Sequence, residues 1–224
     1  MGYYIAIENL GIGEYLEQLK SADLLPSRRV LKDDIENRFA IIRKQNIQTV
    51  GDLIDALKNK NKLKVFSQCS GLEEEYLKIL IREINSNKPT PNKIRDFPGV
   101  IEEIVLKLAD HGIKDTLQLF PFVLTKTDRK ALAEKLEIEE DQVMQLTKLT
   151  DLSRIRWVNH TFAYMLFETG YDAVWKVAEA DPQTLYEDIV RLNIERNIFK
   201  GKIGIHDMKL CIEAAKMLSV EIEY

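Results

Sequence analysis

A chain of 224 residues with 45% hydrophobic and 30% charged side chains can bury a sizeable core and lacks the composition of a disordered segment. No stretch approaches the ~18 consecutive apolar residues of a membrane span, and Met1-Gly2-Tyr3-Tyr4-Ile5-Ala6 carries neither a secretory leader's basic start nor a myristoylation signal's Ser or Thr. Two distant cysteines, Cys69 and Cys211, exclude a disulfide framework and point to a reducing cytoplasm, while a net charge of -4 excludes a globally basic nucleic-acid binder. Residues 1–92 sum to +1, 93–150 to -2 and 151–224 to -3, so any phosphate-facing surface has to be local.

The chain opens on Tyr3-Tyr4-Ile5-Ala6-Ile7, which is β-branched and aromatic. It closes on Ser219-Val220-Glu221-Ile222-Glu223-Tyr224, which alternates apolar and acidic residues. Together they predict a minor terminal β-ribbon. Everything between reads as helix. Leu10-Gly11-Ile12-Gly13 leads into a stripe of Tyr15, Leu16 and Leu19. Tyr76, Leu77, Leu80, Ile81 and Ile84 form another, and Ser70 with Glu73 has the spacing of a capping box before it. Lys88-Pro89-Thr90-Pro91-Asn92 reads as a connector between an N-terminal lobe over 1–90 and a C-terminal lobe over 91–224. Ile101, Ile104, Val105 and Leu108 share one helical face. Gly112 and Gly170 mark helix stops, and Asp181-Pro182 marks a start. The predicted fold class is all-α.

The strongest internal signal is a repeat. With Ile47, Ile113 and Tyr171 in register, Ile42, Leu108 and Leu166 stand five residues upstream. Val50, Thr116 and Val174 stand three downstream, and Leu53, Leu119 and Val177 six downstream. Leu31, Phe97 and Ile155 stand sixteen upstream. Each unit reads as an apolar anchor, a turn, a longer helix, a tight break and a second short helix. The turns are Leu31-Lys32-Asp33-Asp34-Ile35, Phe97-Pro98-Gly99-Val100-Ile101 and Ile155-Arg156-Trp157-Val158-Asn159, with a fourth candidate at Leu10–Gly13.

An apolar residue, glycines in a turn and an amphipathic helix ending in Gly-Ile resemble helix-hairpin-helix units. More narrowly, the chain resembles a bacterial family of domains of unknown function built from tandem units of this kind. The stretch Leu152-Ser153-Arg154-Ile155-Arg156-Trp157-Val158, continuing through Gly170-Tyr171-Asp172-Ala173-Val174 to Ala180–Leu185, carries most of that resemblance, and Ile5–Gly13 carries the rest. It implies sequence-nonspecific contact with a nucleic-acid backbone. Glycines expose the turn amides, and those amides with the positive end of the following helix receive a phosphate. The family's positions carry over only to Gly11, Gly13 and Gly99. The third turn has Trp157 and Asn159 instead, and the first has Asp33 and Asp34, whose charge repels phosphate.

Side chains extend the candidate site. Lys58, Lys60, Lys62 and Lys64 form the densest basic run, read either as a phosphate-contacting loop or as an ordinary solvated one. Arg154 and Arg156 flank the third turn. Trp157 is the better stacking candidate, and Trp175 reads as core. No His or Cys stands at metal-ligand spacing, and no Gly-x-Ser-x-Gly or Gly-Lys-Ser/Thr turn is present. The expectation is therefore no cofactor, no metal and no enzymatic activity. The leading reading is a nucleic-acid backbone binder. The alternative is a protein-interaction or assembly module whose hairpins serve packing alone.

Overall fold

A computed structural model describes residues 2–224 as helices joined by short turns, with no strand among them. The chain divides into two compact units. One is Ala6–Asn87, and the other is Lys88–Tyr224 together with the opening residues to Ile5.

The first unit holds α1 (Ile12–Ser21), a 3-10 helix over Pro26–Lys32, α2 (Ile35–Lys44), α3 (Val50–Leu57), α4 (Lys60–Ser70) and α5 (Glu74–Asn85). Its core draws one stripe from each helix, with Leu31, Phe39, Ile42, Leu53, Leu77 and Leu80 wholly excluded from solvent. Ser70 does not cap α5. It ends α4, Gly71 closes that helix at φ 75°, and Glu73 holds the N-cap of α5 without a side-chain bond.

The second unit holds α6 (Glu102–Asp110), α7 (Thr116–Leu119), α8 (Lys126–Leu136), α9 (Glu140–Leu152), α10 (His160–Glu168), α11 (Val174–Ala178), α12 (Pro182–Arg196) and α13 (Ile205–Lys216). It has two apolar clusters, and α9 serves both. Val143 and Leu146 pack with Ile104, Leu108 and Leu119, while Leu149 and Leu152 pack with Leu166, Val177 and Ile212. Asp181 caps α12 by accepting from the Thr184 amide, with Pro182 at its first position.

The terminal β-ribbon does not form. Residues Ile7–Asn9 make a 3-10 turn, and the closing residues are irregular. Tyr3 and Ile222 nonetheless share one apolar cluster. The buried Arg154 guanidinium donates to the Tyr3 carbonyl at 3.3 Å and the Ser219 carbonyl at 2.9 Å. One cation thus supplies the polar contacts that a strand ladder would have supplied.

Three helix pairs share one local construction: α2 with α3, α6 with α7, and α10 with α11. The first helix of each pair ends on a left-handed residue, Asn46 (φ 61°), Gly112 (φ 79°) or Gly170 (φ 86°). In the second and third pairs the end is a Schellman turn. Ile113 donates its amide to the Leu108 carbonyl and Tyr171 to the Leu166 carbonyl, with Gly112 and Gly170 bonding back to Ala109 and Phe167. The positions five apart in the repeat are therefore the two apolar ends of that turn. The first amide of the short helix is held each time by an upstream acceptor. Val50 donates to the Leu10 carbonyl, Thr116 to the Asn92 carbonyl, and Val174 to the Asp151 carboxylate.

Candidate functional site

The turns that enter the longer helices bend through a left-handed residue: Asp34 (φ 49°), Gly99 (φ 77°) and Trp157 (φ 69°). Only Gly99 takes that conformation without a side-chain penalty, and it is exposed. Its surroundings oppose an anion, because Glu102 and Glu103 fill the first turn of α6. At the fourth candidate the backbone is extended, with Gly11 at φ -61°. The Gly11 amide donates to the Glu14 carboxylate at 3.0 Å, and the Ile12 amide donates to the Gln48 carbonyl at 2.8 Å. Gly13 lies inside α1, where an added methyl would sit 2.8 Å from the Arg43 guanidinium. The Gly11 amide that sequence reasoning assigned to phosphate thus already has an acceptor, as does its neighbour, the Ile12 amide.

The lysine run is a helix rather than a loop. Lys58 ends α3, Asn59 caps α4 by accepting from the Lys62 amide, and Lys60, Lys62 and Lys64 lie in the first turns of α4. All four are exposed, while Leu63 and Phe66 face the core. Lys58 lies 4.0 Å from Asp55, and Lys62 donates to the Asp55 carbonyl at 3.0 Å.

Arg154 faces no phosphate. It is 2% exposed, and it donates to Asp151 at 2.7 Å besides the two terminal carbonyls. Asp151 also accepts the Tyr224 hydroxyl at 2.9 Å. Burial, together with that carboxylate, pushes the Tyr224 hydroxyl far above its ordinary range. Arg156 is half-buried and stacks over Trp157, 3.9 Å from the ring centroid. Trp157 is 40% exposed, and Trp175, read from sequence as core, is 42% exposed.

One concavity of the second unit lies beside α6. It is a groove of about 890 Å³ whose apolar lining includes Val100, Val105, Leu106, Ala109 and Ile113. Leu106 is 58% exposed, with Ile101 at 53% close by in sequence. Lys93, Arg95 and Lys114 line it as cations, and Glu102 and Asp115 as acids. Asp115 caps α7 by accepting the Gln118 amide at 2.9 Å, and Arg95 pairs with Asp96 at 3.7 Å. Among the described residues the Lys93 and Lys114 side chains make no ion pair. A short backbone bridge between Lys93 and Asp115 brings the cations together from separate segments. Sequence reasoning missed this groove; its only local sign was Leu106, which falls outside the stripe of Ile101, Ile104, Val105 and Leu108.

Among the described residues no cluster of three or more His, Cys, Asp or Glu could hold a metal, and no helix is long and apolar enough to cross a membrane. The family model described as a domain of unknown function (DUF4332) matches residues 98–218, from the second entry turn to just beyond α13. No curated protein and no solved structure matches the chain.

Proposed function

The chain belongs to the DUF4332 family through residues 98–218, and we propose that it is a non-catalytic protein-docking and assembly module of the cytoplasm, built from degenerate helix-hairpin-helix-like units. The observation that carries this reading is the groove beside α6, lined by apolar side chains and by two lysines that make no ion pair among the described residues. An exposed Leu106 is costly in water and favourable against another apolar surface. A phosphate backbone offers nothing to such an apolar lining, and the groove's cations are partly offset by Glu102 and Asp115. The repeat supports the same reading. Its register positions are buried, apart from the half-buried Tyr171, so the recurring pattern serves packing. The test is a photoreactive residue in place of Leu106, activated in cells, with the cross-linked products treated with protease or nuclease. Protease-sensitive adducts are expected; nuclease-sensitive adducts or none would contradict the reading.

A second reading rests on α4. Lys60 and Lys64 stand four residues apart on one helix face, with no ion pair among the described residues, beside Lys58 and Lys62. Such a cluster suits an anionic backbone, and four phosphate contacts on duplex DNA give a salt slope of about -3.6. Fluorescence polarisation with short DNA and RNA duplexes and single strands tests it. Replacing all four lysines by Ala should abolish binding and its salt dependence. Absence of wild-type binding at low salt would remove this reading and leave the first intact.

A further inference from the structure

A second surface of the same unit complements the groove. On the outer face of α12, Tyr186, Val190 and Ile194 recur every four residues and form one apolar stripe. Ile194 is 79% exposed, the highest value among the large hydrophobic side chains described. The stripe borders a shallow depression of about 330 Å³, lined also by Glu187, Arg191 and Glu195. Asp188 already neutralises Arg191, while Glu187 and Glu195 pair with no cation among the described residues. Among the described residues the face is therefore apolar with two acids that pair with no cation, and the groove is apolar with two lysines that pair with no acid; Glu102 and Asp115 also line the groove, where the cations Lys93, Arg95 and Lys114 outnumber them.

We propose that the occupant of the α6 groove is α12 of a second copy of this chain. Ile194 and Val190 would cover Leu106 and Val105, and Glu187 and Glu195 would meet Lys93 and Lys114. The two surfaces differ, so the contact is heterologous. Each copy offers one donor face and one acceptor face, and the chains join head to tail into a ring or an open array. A single helix in a groove falls at the small end of interface sizes, so association is weak and electrostatics chiefly sets register and partner choice. The inference rests on the groove being a protein-docking surface and adds the identity of what docks.

Sedimentation velocity of the full chain tests it with two variants, Leu106→Glu and Ile194→Glu. Both positions are exposed, so each variant should keep the wild-type circular dichroism and melting temperature. Wild type should associate with rising concentration, and each variant alone should stay monomeric, its self-affinity lowered at least tenfold. An equimolar mixture should form a dimer and nothing larger, because one intact groove meets one intact α12. A monomeric wild type, a self-associating single variant or a mixture that stays monomeric would overturn the proposal. If a variant misfolds, Lys114→Glu and Glu195→Lys replace the pair: each should weaken association alone and restore it when mixed. Cross-linking from position 106 to a different protein, with wild type monomeric, would overturn α12 as the occupant and leave the docking reading standing.

Discussion

Arg28 is 9% exposed, and its guanidinium pairs with Glu83, which is 3% exposed, and donates to Ser86 at 2.8 Å. Two desolvated charges in contact contribute little net stability, but removing one leaves the other uncompensated. Glu83→Ala should therefore cost about 3–5 kcal/mol in urea denaturation, and joint replacement of both residues by apolar ones should recover most of it. Asp172 presents the reverse case near the surface. Burial opposes its ionisation, but hydrogen bonds from Lys148 and Lys176, both at 2.6 Å, outweigh burial and hold its carboxyl below the usual range. A depressed folded-state value means that the unfolded chain binds the proton first. The stability is therefore complete above about pH 4 and disappears as pH falls through the lower folded value. Melting temperature followed from pH 6 to pH 2 should fall at the acid end, and more shallowly in Asp172→Asn. Asp52 and Asp181, held down by the Thr49 and Thr184 amides, act in the same direction in both proteins.

The helix-ending turns separate what a sequence reveals from what it hides. The spacing of Leu108 to Ile113 and of Leu166 to Tyr171 was legible because a Schellman turn joins residues five apart, and its apolar contact is written in the local sequence. Its left-handed residue matters in proportion to its side chain. Gly112→Ala and Gly170→Ala, each with open space for a methyl, should cost about 1–2 kcal/mol from backbone conformation alone. Asn46→Gly, at the equivalent place in the first pair, should be nearly neutral in thermal denaturation. Entry turns were less legible. Trp157 adopts a glycine conformation with no glycine to announce it, held between Ile155 and Val158, which are buried. The lysine run read as a loop because only Leu63 and Phe66 carry its buried face, although Asn59 is a good N-cap. Trp175 read as core because α11 has five residues, too few for a helical period to separate inner from outer positions.

At the scale of the molecule, charge and burial set which surfaces remain for function. The role of Arg154 was invisible in sequence because its carbonyl partners lie 151 and 65 residues away. The groove beside α6 was hidden for the same kind of reason, since Lys93 and Lys114 meet only through a backbone bridge. The all-α class, by contrast, followed from apolar periodicity that each helix carries in itself. Within a unit rich in acids, the groove concentrates cations and α12 presents unpaired acids, so the two faces suit each other. Sedimentation equilibrium of the wild-type chain, over a hundredfold concentration range at low and high salt, tests that account most directly. Average mass should climb above 25.9 kDa as concentration rises, and should climb less at high salt. A constant mass of 25.9 kDa at every concentration and salt would contradict it.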